Sequence, residues 1–433
     1  MSDSCNSRHF SWLMKSCYPN PNDNSTTVVY AVAPKSSSSI TNNNNNCLSS
    51  NISSLPDDIL IDCLSRVPPS SIPNLSLVCR RWTRLLLSPI FSDLRRNHGL
   101  LRHTLFALSA ADSALFAATI RFHPDQTDNN NTESPWKVSA FLPDNVVSTL
   151  GNQGFPSHAR LSAVGPRIYI VGRNATLRYD TWTGTVTARS PMMISRKKFA
   201  AAAVSGKIYV AGGGPRTTAV EECDPDEDKW RVVAHSSRSR YGCIGASVDG
   251  VFYVIGGLKL GASGNDQLRA ASIEAHVYAS SMDLYDVEAR AWLRSRAVPG
   301  GGCVVAACAA AGHIYVLASH AVELTFWRFD ARRKAVAGSG GGFGEWCRIK
   351  CPPLPAQISV DSTVRFCCAG VGDKVVLVQV SGCIDDLLRR SGRGGRGMKE
   401  GLVLVYDTVA GEWRRAADLP EIVRRASCVC VEC

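Results

Sequence analysis

The sequence predicts a mainly β protein, in which a repeated β-unit follows a short helical unit and an unstructured tail. Three observations lead to this prediction. A β-branched and aromatic segment recurs five times between residues 167 and 379, each time after a strand of small residues. Apolar residues at helical spacing lie between residues 59 and 86. The first 50 residues are rich in serine and asparagine.

The tail, residues 1–50, includes a serine run at 36–39 and an asparagine run at 42–46. It has too few apolar side chains to offset its chain entropy, so we expect it to be disordered. No part of it has the form of a signal peptide. No apolar run in the chain approaches the roughly 20 residues that a membrane helix needs. We therefore expect a soluble intracellular protein, cytoplasmic or nuclear, without a membrane partner.

The chain carries a net charge of +11, from 48 basic and 37 acidic residues. This charge permits contact with acidic proteins or with nucleic acid. Because the basic residues are spread along the whole chain, charge alone does not favour nucleic acid.

Residues 54–89 have the pattern of three short helices. Ser54 and Asp57 have the spacing of a capping box, and Pro56 fits the first turn of the helix that would follow. A proline pair ends this helix, and the apolar pattern continues through two more helices to Pro89. About 40 residues of helix bury little surface, so such a unit needs a partner.

The segment 51–92 resembles the F-box, and the match is strongest at Leu55, Pro56, Val78, Cys79 and Trp82. The resemblance implies that the helices dock on the Skp adaptor of a Skp–Cullin–F-box ubiquitin ligase. It also implies which residues make that contact or hold the helices that make it. They are Leu55, Pro56, Ile59, Leu60, Leu64, Val78 and Trp82.

The β-units repeat a fixed order of segments: a small-residue strand, an aromatic strand, a glycine pair or its remnant, and an aromatic–aspartate segment. Each unit then has a residue that we expect on its outer strand, which we call the outer position. The aromatic strands are residues 167–172, 207–212, 251–256, 313–318 and 374–379. A glycine pair remains at Gly212–Gly213 and at Gly256–Gly257. The outer positions come seven residues after the residue that precedes the aspartate, which is aromatic in four units and Cys223 in the other. They are Val186, Trp230, Trp292, Val336 and Trp413.

This order resembles the kelch repeat, whose units form the four-stranded blades of a β-propeller. The resemblance implies a propeller over residues 103–433, after a helical and basic connector at 93–102. Five units are complete, and residues 104–138 supply a blade that lacks its first strand. A surplus strand at 424–431 supplies the missing one. We therefore predict six blades, closed by the C-terminal strand, with the F-box packed against them as a stiff arm.

Several basic and aromatic residues come just before first strands. Because strand direction alternates within a blade, they share a face with the loops that join the second and third strands. In kelch substrate receptors this face recognises the partner, and arginines suit an acidic segment. The alternative is that these residues are solvated loop charges. The candidates are Arg196, Lys197, Arg240, Tyr241, Arg365 and Arg424.

Neither a metal nor a cofactor site is indicated. The 17 cysteines are expected to be thiols, and the C-x-x-C at Cys430 and Cys433 has no second pair at metal-ligand spacing. The G-x-G-x-x-G at residues 392–397 lacks the strand and helix of a dinucleotide site and fits a basic loop. No catalytic constellation is present, so we expect a non-catalytic protein.

Taken together, the resemblances imply the substrate-recognition subunit of a Skp–Cullin–F-box ligase, with the Skp adaptor, a Cullin-based ligase and an unidentified target protein as partners. Two alternatives stay open. One is a kelch scaffold that does not promote degradation, and the other is a basic propeller that binds nucleic acid.

Overall fold

The computed structural model describes residues 54–111, 114–122, 136–141, 159–214, 217–259, 279–320, 323–333, 343–354, 365–381, 401–423 and 425–433. Residues 55–433 form one compact unit. The predicted disordered tail at 1–50 and the glycine–arginine loop at 392–397 lie outside the described residues.

The helical unit contains α1 (Asp57–Ser65), α2 (Ile72–Ser76), α3 (Arg80–Leu86) and α4 (Pro89–Asn97), with a 3-10 turn at Pro69–Ser71. The predicted capping box is wrong, because the N-cap of α1 is Pro56 and no side chain caps the helix. Pro89 does not only end the helical pattern. It begins α4, where its missing N–H costs nothing, and the Ser88 hydroxyl caps that helix by accepting from the amide of Phe91.

A buried arginine holds the helices together. The side chain of Arg95, in α4, is fully buried and donates to the carbonyl oxygens of Ser65 at 3.1 Å and Val67 at 2.7 Å. These carbonyls lie at the C-terminal end of α1, where a helix leaves acceptors without internal partners. Burial lowers the pKa of Arg95. The helical unit is therefore held together by a buried charged side chain as well as by its apolar core.

The propeller consists of six sheets, whose strands we number in chain order. The strands are β1 (His103–Ala111), β2 (Ala114–Phe122), β3 (Lys137–Phe141), β4 (Arg160–Val164), β5 (Arg167–Val171), β6 (Thr176–Asp180), β7 (Val186–Arg189), β8 (Ala200–Val204), β9 (Lys207–Ala211), β10 (Ala219–Asp224), β11 (Lys229–His235), β12 (Ile244–Val248), β13 (Val251–Ile255), β14 (Ser281–Asp286), β15 (Ala291–Trp292), β16 (Arg296–Ala297), β17 (Cys303–Ala310), β18 (His313–His320), β19 (Glu323–Asp330), β20 (Trp346–Ile349), β21 (Arg365–Val371), β22 (Lys374–Ser381), β23 (Val403–Asp407), β24 (Glu412–Arg415) and β25 (Ser427–Glu432).

Each sheet is one antiparallel blade. Blade 1 is β25–β1–β2–β3, blade 2 is β4–β7, blade 3 is β8–β11, blade 4 is β12–β16, blade 5 is β17–β20 and blade 6 is β21–β24. In blade 4 the outer strand is broken, and both β15 and β16 pair with β14. The first strands form the inner ring, in which β25, β4, β8, β12, β17 and β21 each contact the next and β21 contacts β25.

The C-terminal strand closes the ring, as the sequence led us to expect. β25 pairs with β1 from His103 opposite Glu432 to Leu108 opposite Ser427. The blade that begins the propeller thus takes its first strand from the end of the chain. This arrangement leaves neither strand as a free edge.

Tryptophans of the outer strands tie neighbouring blades together. The indole N–H groups of Trp230, Trp292 and Trp413 donate to the carbonyl oxygens of Ser190, His235 and Lys350, each at 2.8 Å. Each acceptor lies at the end of the preceding blade. The tryptophan register found in the sequence is therefore an inter-blade contact, in which the indole N–H finds a backbone acceptor.

One outer position was predicted wrongly. Phe329 in blade 5 pairs with Trp346, and not with a residue seven positions later as its counterparts do. Val336, the predicted outer position, lies outside the described residues. The connection between β19 and β20 is longer than in the other units. The aromatic residue opposite Phe329, Trp346, therefore comes later in the sequence than its counterparts do.

The helical unit packs on one face of the propeller. The rings of Phe91 and Trp182 pack edge to face with their centres 5.5 Å apart, and the Arg96 guanidinium lies 2.8 Å from the Glu432 carboxylate. The backbones of Arg102 and Cys433 exchange two hydrogen bonds of 3.0 Å. Trp182 lies in the turn between a third and a fourth strand, and Glu432 ends a first strand. The helices therefore sit on the face of these turns, opposite the loops that join second to third strands.

Candidate functional site

The helical unit exposes an apolar surface. Ile59 is 49% exposed, Leu77 80% and Val78 51%. By contrast, Leu60 and Leu64 are buried in the core between the helices. Of the residues predicted to carry the adaptor contact, these two leucines hold the helices, while Ile59 and Val78 present their side chains to solvent.

Arg81 joins the two segments that carry this surface. Its side chain donates to the Asp57 carboxylate at 2.7 Å and to the Leu55 carbonyl oxygen. This contact fixes the start of α1 against α3. Pro56 is exposed at this junction, and Leu55 and Trp82 are half-buried.

A groove separates α3 from the propeller and has a volume of about 490 Å³. Its helical wall carries Arg80, Thr83, Arg84 and Leu87. Its propeller wall carries Arg167 and Asp226, in blades 2 and 3. The groove lies on the face of the propeller that carries the turns between third and fourth strands, which we call the turn face. The predicted target-binding residues lie on the opposite face.

The second candidate surface is the opposite face, which we call the open face. It is formed by the loops from second to third strands and by the connections between blades. Lys197 and Arg365 are exposed there. Tyr241 is half-buried, with the Lys198 ammonium 5.7 Å from the centre of its ring. Arg424 lies outside the described residues.

Arg196 does not reach the surface of the open face, because its side chain is buried with 1% of the residue exposed. Its guanidinium donates to the Glu221 carboxylate at 2.8 and 3.0 Å. It also donates to the carbonyl oxygens of Gly212 and Ala219, each at 2.8 Å. The second Glu221 oxygen accepts from the amide of Met193 at 2.7 Å. All these groups bind one another within blade 3.

Arg240 makes the same arrangement in blade 4. It donates to the Asp283 carboxylate at 2.7 Å and to the Gly256 carbonyl oxygen at 2.8 Å. The Ser295 hydroxyl donates to the other Asp283 oxygen at 2.6 Å. Burial alone would raise the pKa of Asp283, but the hydrogen bond and positive charge of Arg240 outweigh it and lower the pKa. We call each buried arginine–carboxylate arrangement a clasp.

The prediction that Arg196 and Arg240 bind the target is therefore wrong. A guanidinium whose donors are taken by a carboxylate and by backbone carbonyls is not available to a partner. The sequence does hold a signal for the clasps. Each arginine lies four residues before a first strand, and Glu221 or Asp283 lies two residues before the position that pairs with the outer tryptophan. Arginine and acid occur together in these two blades.

The described loops of the open face still carry exposed charge that is mainly positive. The exposed cations include Arg173, Lys197, Lys259, Lys350, Arg365 and Arg425. Two exposed carboxylates, Asp418 and Glu421, lie on the same face. Met193, Leu258 and Ile422 add exposed apolar side chains. This mixture of cations and apolar groups suits a protein surface with acidic residues.

Within the described residues, no three His, Cys, Asp or Glu side chains are grouped as metal ligands. None of the helices there is long and apolar enough to cross a membrane.

The chain is similar to several known proteins. The sequence profile of the F-box domain matches residues 52–93. An F-box/kelch-repeat protein of Arabidopsis thaliana is 62% identical over 435 residues, covering 100% of both chains. A second F-box/kelch-repeat protein of Arabidopsis thaliana is 26% identical over 57% of this chain and 61% of its own. One solved chain, titled "Structure of YjhT", superposes with a TM-score of 0.44 at 15% identity, covering 61% of this chain and 84% of that chain.

Proposed function

The chain belongs to the F-box/kelch-repeat proteins, and from that premise we propose that it is the substrate-recognition subunit of a Skp–Cullin–F-box ubiquitin ligase. The helical unit binds the Skp adaptor, which links the protein to a Cullin-based ligase. The propeller binds the target through the open face. We place this activity in the cytoplasm or the nucleus.

The observation that carries the proposal is the apolar surface of the helical unit. Ile59 in α1 and Leu77 and Val78 in the turn between α2 and α3 are each about half exposed or more, whereas Leu60, Leu64, Ile72 and Leu86 are buried. Exposed apolar side chains grouped in this way mark a protein interface. Pro56 and the half-buried Leu55 and Trp82 border this surface and complete the proposed adaptor contact.

The position of the two surfaces supports a mechanism of proximity. The helical unit is fixed to the turn face by ring, ion-pair and backbone contacts, so the open face points away from it. A target on the open face is held at a set distance from the adaptor. The resulting effective concentration favours ubiquitin transfer. The chemistry belongs to a separate conjugating enzyme, and the protein itself is a non-catalytic receptor.

The adaptor contact is tested by binding of purified Skp adaptor to the full chain and to the double variant Ile59→Asp/Val78→Asp. Two carboxylates in a desolvated apolar contact should weaken binding by at least about 100-fold. The matched control is Val409→Asp, because Val409 is 83% exposed on the propeller. We expect the control to bind like the wild type.

If the wild-type protein fails to bind the adaptor, the proposal is wrong and a kelch scaffold outside ubiquitin ligases is favoured. Binding that is equal in the wild type and the double variant would reject the assignment of the surface. Binding of RNA or DNA that weakens steeply with salt, without adaptor binding, would favour the nucleic-acid alternative.

The open face is tested separately by the double variant Lys197→Glu/Arg365→Glu. We expect it to keep adaptor binding and to lose at least about tenfold in affinity for an acidic polyglutamate probe. The control is Arg231→Glu, which changes an exposed arginine on the outer strand of blade 3. Equal affinity of both variants for the probe would contradict the placement of the target on this face.

A further inference from the structure

Two cysteine pairs connect the sixth blade to its neighbours. Cys367 and Cys368 are consecutive in β21 and point to opposite sides, as strand geometry requires. The Cys368 sulfur lies 3.0 Å from the sulfur of Cys308 in blade 5. The Cys367 sulfur lies 3.3 Å from the backbone nitrogen and 3.9 Å from the carbonyl oxygen of Cys428 in blade 1. Each pair therefore spans a junction between blades.

The Cys367–Cys428 pair lies at the junction that closes the ring. Cys428 belongs to β25, the strand that the C-terminus contributes to blade 1, and β25 contacts β21. Both cysteines are half-buried. The positive charge of Arg160, in the first strand of blade 2, acts on the Cys367 sulfur.

The consecutive residues Cys367 and Cys368 differ in the direction in which their surroundings shift the thiol pKa. The hydrogen bond with the Cys428 side chain lowers the pKa of Cys367 against the effect of burial, and the Cys428 amide and Arg160 act in the same direction. The hydrogen bond with Cys308 and burial both raise the pKa of Cys368. The thiolate is the nucleophilic form of cysteine, and the backbone N–H of Cys428 points at the Cys367 sulfur across the closing junction, so both features favour Cys367 as the nucleophile.

We propose that Cys367 and Cys428 are a site of oxidative modification, at which a hydroperoxide forms a reversible disulfide between blade 6 and the closing strand. The Cys367 thiolate attacks the peroxide, its O–O bond breaks, and the products are Cys367 sulfenic acid and hydroxide or alkoxide. The Cys428 sulfur then attacks the Cys367 sulfur, the S–O bond breaks, and water leaves. With hydrogen peroxide, two thiols and one peroxide give one disulfide and two waters.

The second step follows from the first. The hydrogen bond that raises the pKa of Cys428 depends on the negative charge of Cys367. That charge disappears when Cys367 becomes a neutral sulfenic acid, so burial remains as the cause of the raised pKa and Cys428 is more easily deprotonated than before. The disulfide ties β25 to β21 covalently and restricts the unfolded chain between residues 367 and 428. We expect it to raise the Tm by about 5 °C.

The site is tested on the reduced full chain, treated with hydrogen peroxide, alkylated and digested with trypsin. Cleavage after Arg365 and Arg425 gives peptides 366–374 and 426–433. We expect these two peptides to be joined, and to separate on reduction. Because each holds more than one cysteine, the digest is repeated on single serine variants.

Cys367→Ser should abolish the joined peptide and slow peroxide consumption at least about tenfold. Cys368→Ser is the matched control, one residue away, and should keep both. Cys428→Ser should leave a sulfenic acid on peptide 366–374 that dimedone labels, which tests the site without the disulfide.

The proposal fails if the peptides are not joined in the wild type. It also fails if Cys368→Ser removes the joined peptide while Cys367→Ser keeps it. Absence of dimedone labelling in Cys428→Ser would contradict the order of the two steps.

Discussion

Blades 3 and 4 differ from blades 5 and 6 in the group that completes the third strand. In blades 3 and 4 a buried carboxylate, Glu221 or Asp283, receives a buried arginine that also holds the first glycine of the Gly–Gly turn. At the matching position blade 6 has the buried Leu404 and blade 5 has Trp327. The same four-stranded sheet is thus completed either by an ionic clasp or by apolar packing.

Blades 5 and 6 are joined to each other by aromatic contacts. The ring of Phe326 lies 5.6 Å from that of Tyr406 and 5.2 Å from that of Trp413, across the junction between the two blades. This difference indicates that the arginine and the carboxylate of a clasp are either both present in a blade or both absent. A buried carboxylate without its arginine is strongly unfavourable, whereas an apolar pair of similar volume is not.

Breaking a clasp should have the largest effect. Arg196→Met leaves the Glu221 carboxylate buried without its cation, and we expect a loss of about 3–5 kcal/mol in the free energy of unfolding. Urea denaturation measures this loss. Lys197→Met, at the exposed neighbour, should change stability by less than about 0.5 kcal/mol. The double variant Arg196→Met/Glu221→Met should recover most of the loss, and a double variant as unstable as the single one would contradict the clasp.

The Gly–Gly turn that the clasp holds should be nearly as sensitive. Gly213 has a φ of +79°, and an added Cβ would lie 2.5 Å from the Cβ of Phe199 and 2.8 Å from the Lys197 carbonyl oxygen. We expect Gly213→Ala to cost about 3 kcal/mol. Gly206 has the same φ with no atom within 4 Å of the added Cβ, so Gly206→Ala should cost about 1 kcal/mol. Equal costs would show that close packing at the turn is unimportant.

The clasp of blade 4 should show itself in the pH dependence of stability. The pKa of Asp283 is lowered from its ordinary value of 3.8, so its contribution is present above that pH and is lost as the pH falls through the lower folded value. We expect Asp283→Asn to cost about 2 kcal/mol at pH 7. Urea denaturation across pH should show this difference shrinking below about pH 4. A difference that is constant down to pH 2 would mean that the pKa of Asp283 is the same in the folded and the unfolded protein.

The contact that both kinds of blade share should give the smallest effect. Trp230 in blade 3 and Trp413 in blade 6 each donate to the preceding blade at 2.8 Å. We expect Trp230→Phe and Trp413→Phe each to cost about 1–2 kcal/mol, from one hydrogen bond and the lost ring area. Thermal unfolding of the two variants compares them directly. A loss confined to one of them would show that the blades differ in more than the clasp.

The outer tryptophan could be predicted from the sequence in some blades and not in others. The outer tryptophan was found where the third and fourth strands are joined by a tight turn, because a short turn fixes the register. It was missed in blade 5, where a longer connection separates Phe329 from Trp346. Sequence spacing is informative only while loop length is constant.

The prediction for the arginines failed for a related reason. Nothing in the sequence distinguishes which of the consecutive residues Arg196 and Lys197 points inward and which points outward. In the fold Arg196 is buried and Lys197 is exposed, because only the arginine meets a carboxylate from β10. That carboxylate is 25 residues away, and the contact exists only once the blade has formed.

Local patterns in the sequence by themselves determined the helical unit, the repeated blades and the surplus strand that closes the ring. Apolar periodicity, turn residues and recurring aromatics are patterns among residues close together in the sequence. They can therefore be recognised without knowledge of the fold. Only the tertiary structure decided which charges became clasps, which face the helices occupy and which thiols meet across the closure. Each of these depends on distant residues brought within a few ångströms, and burial then decides whether a charge binds a partner or holds the protein together.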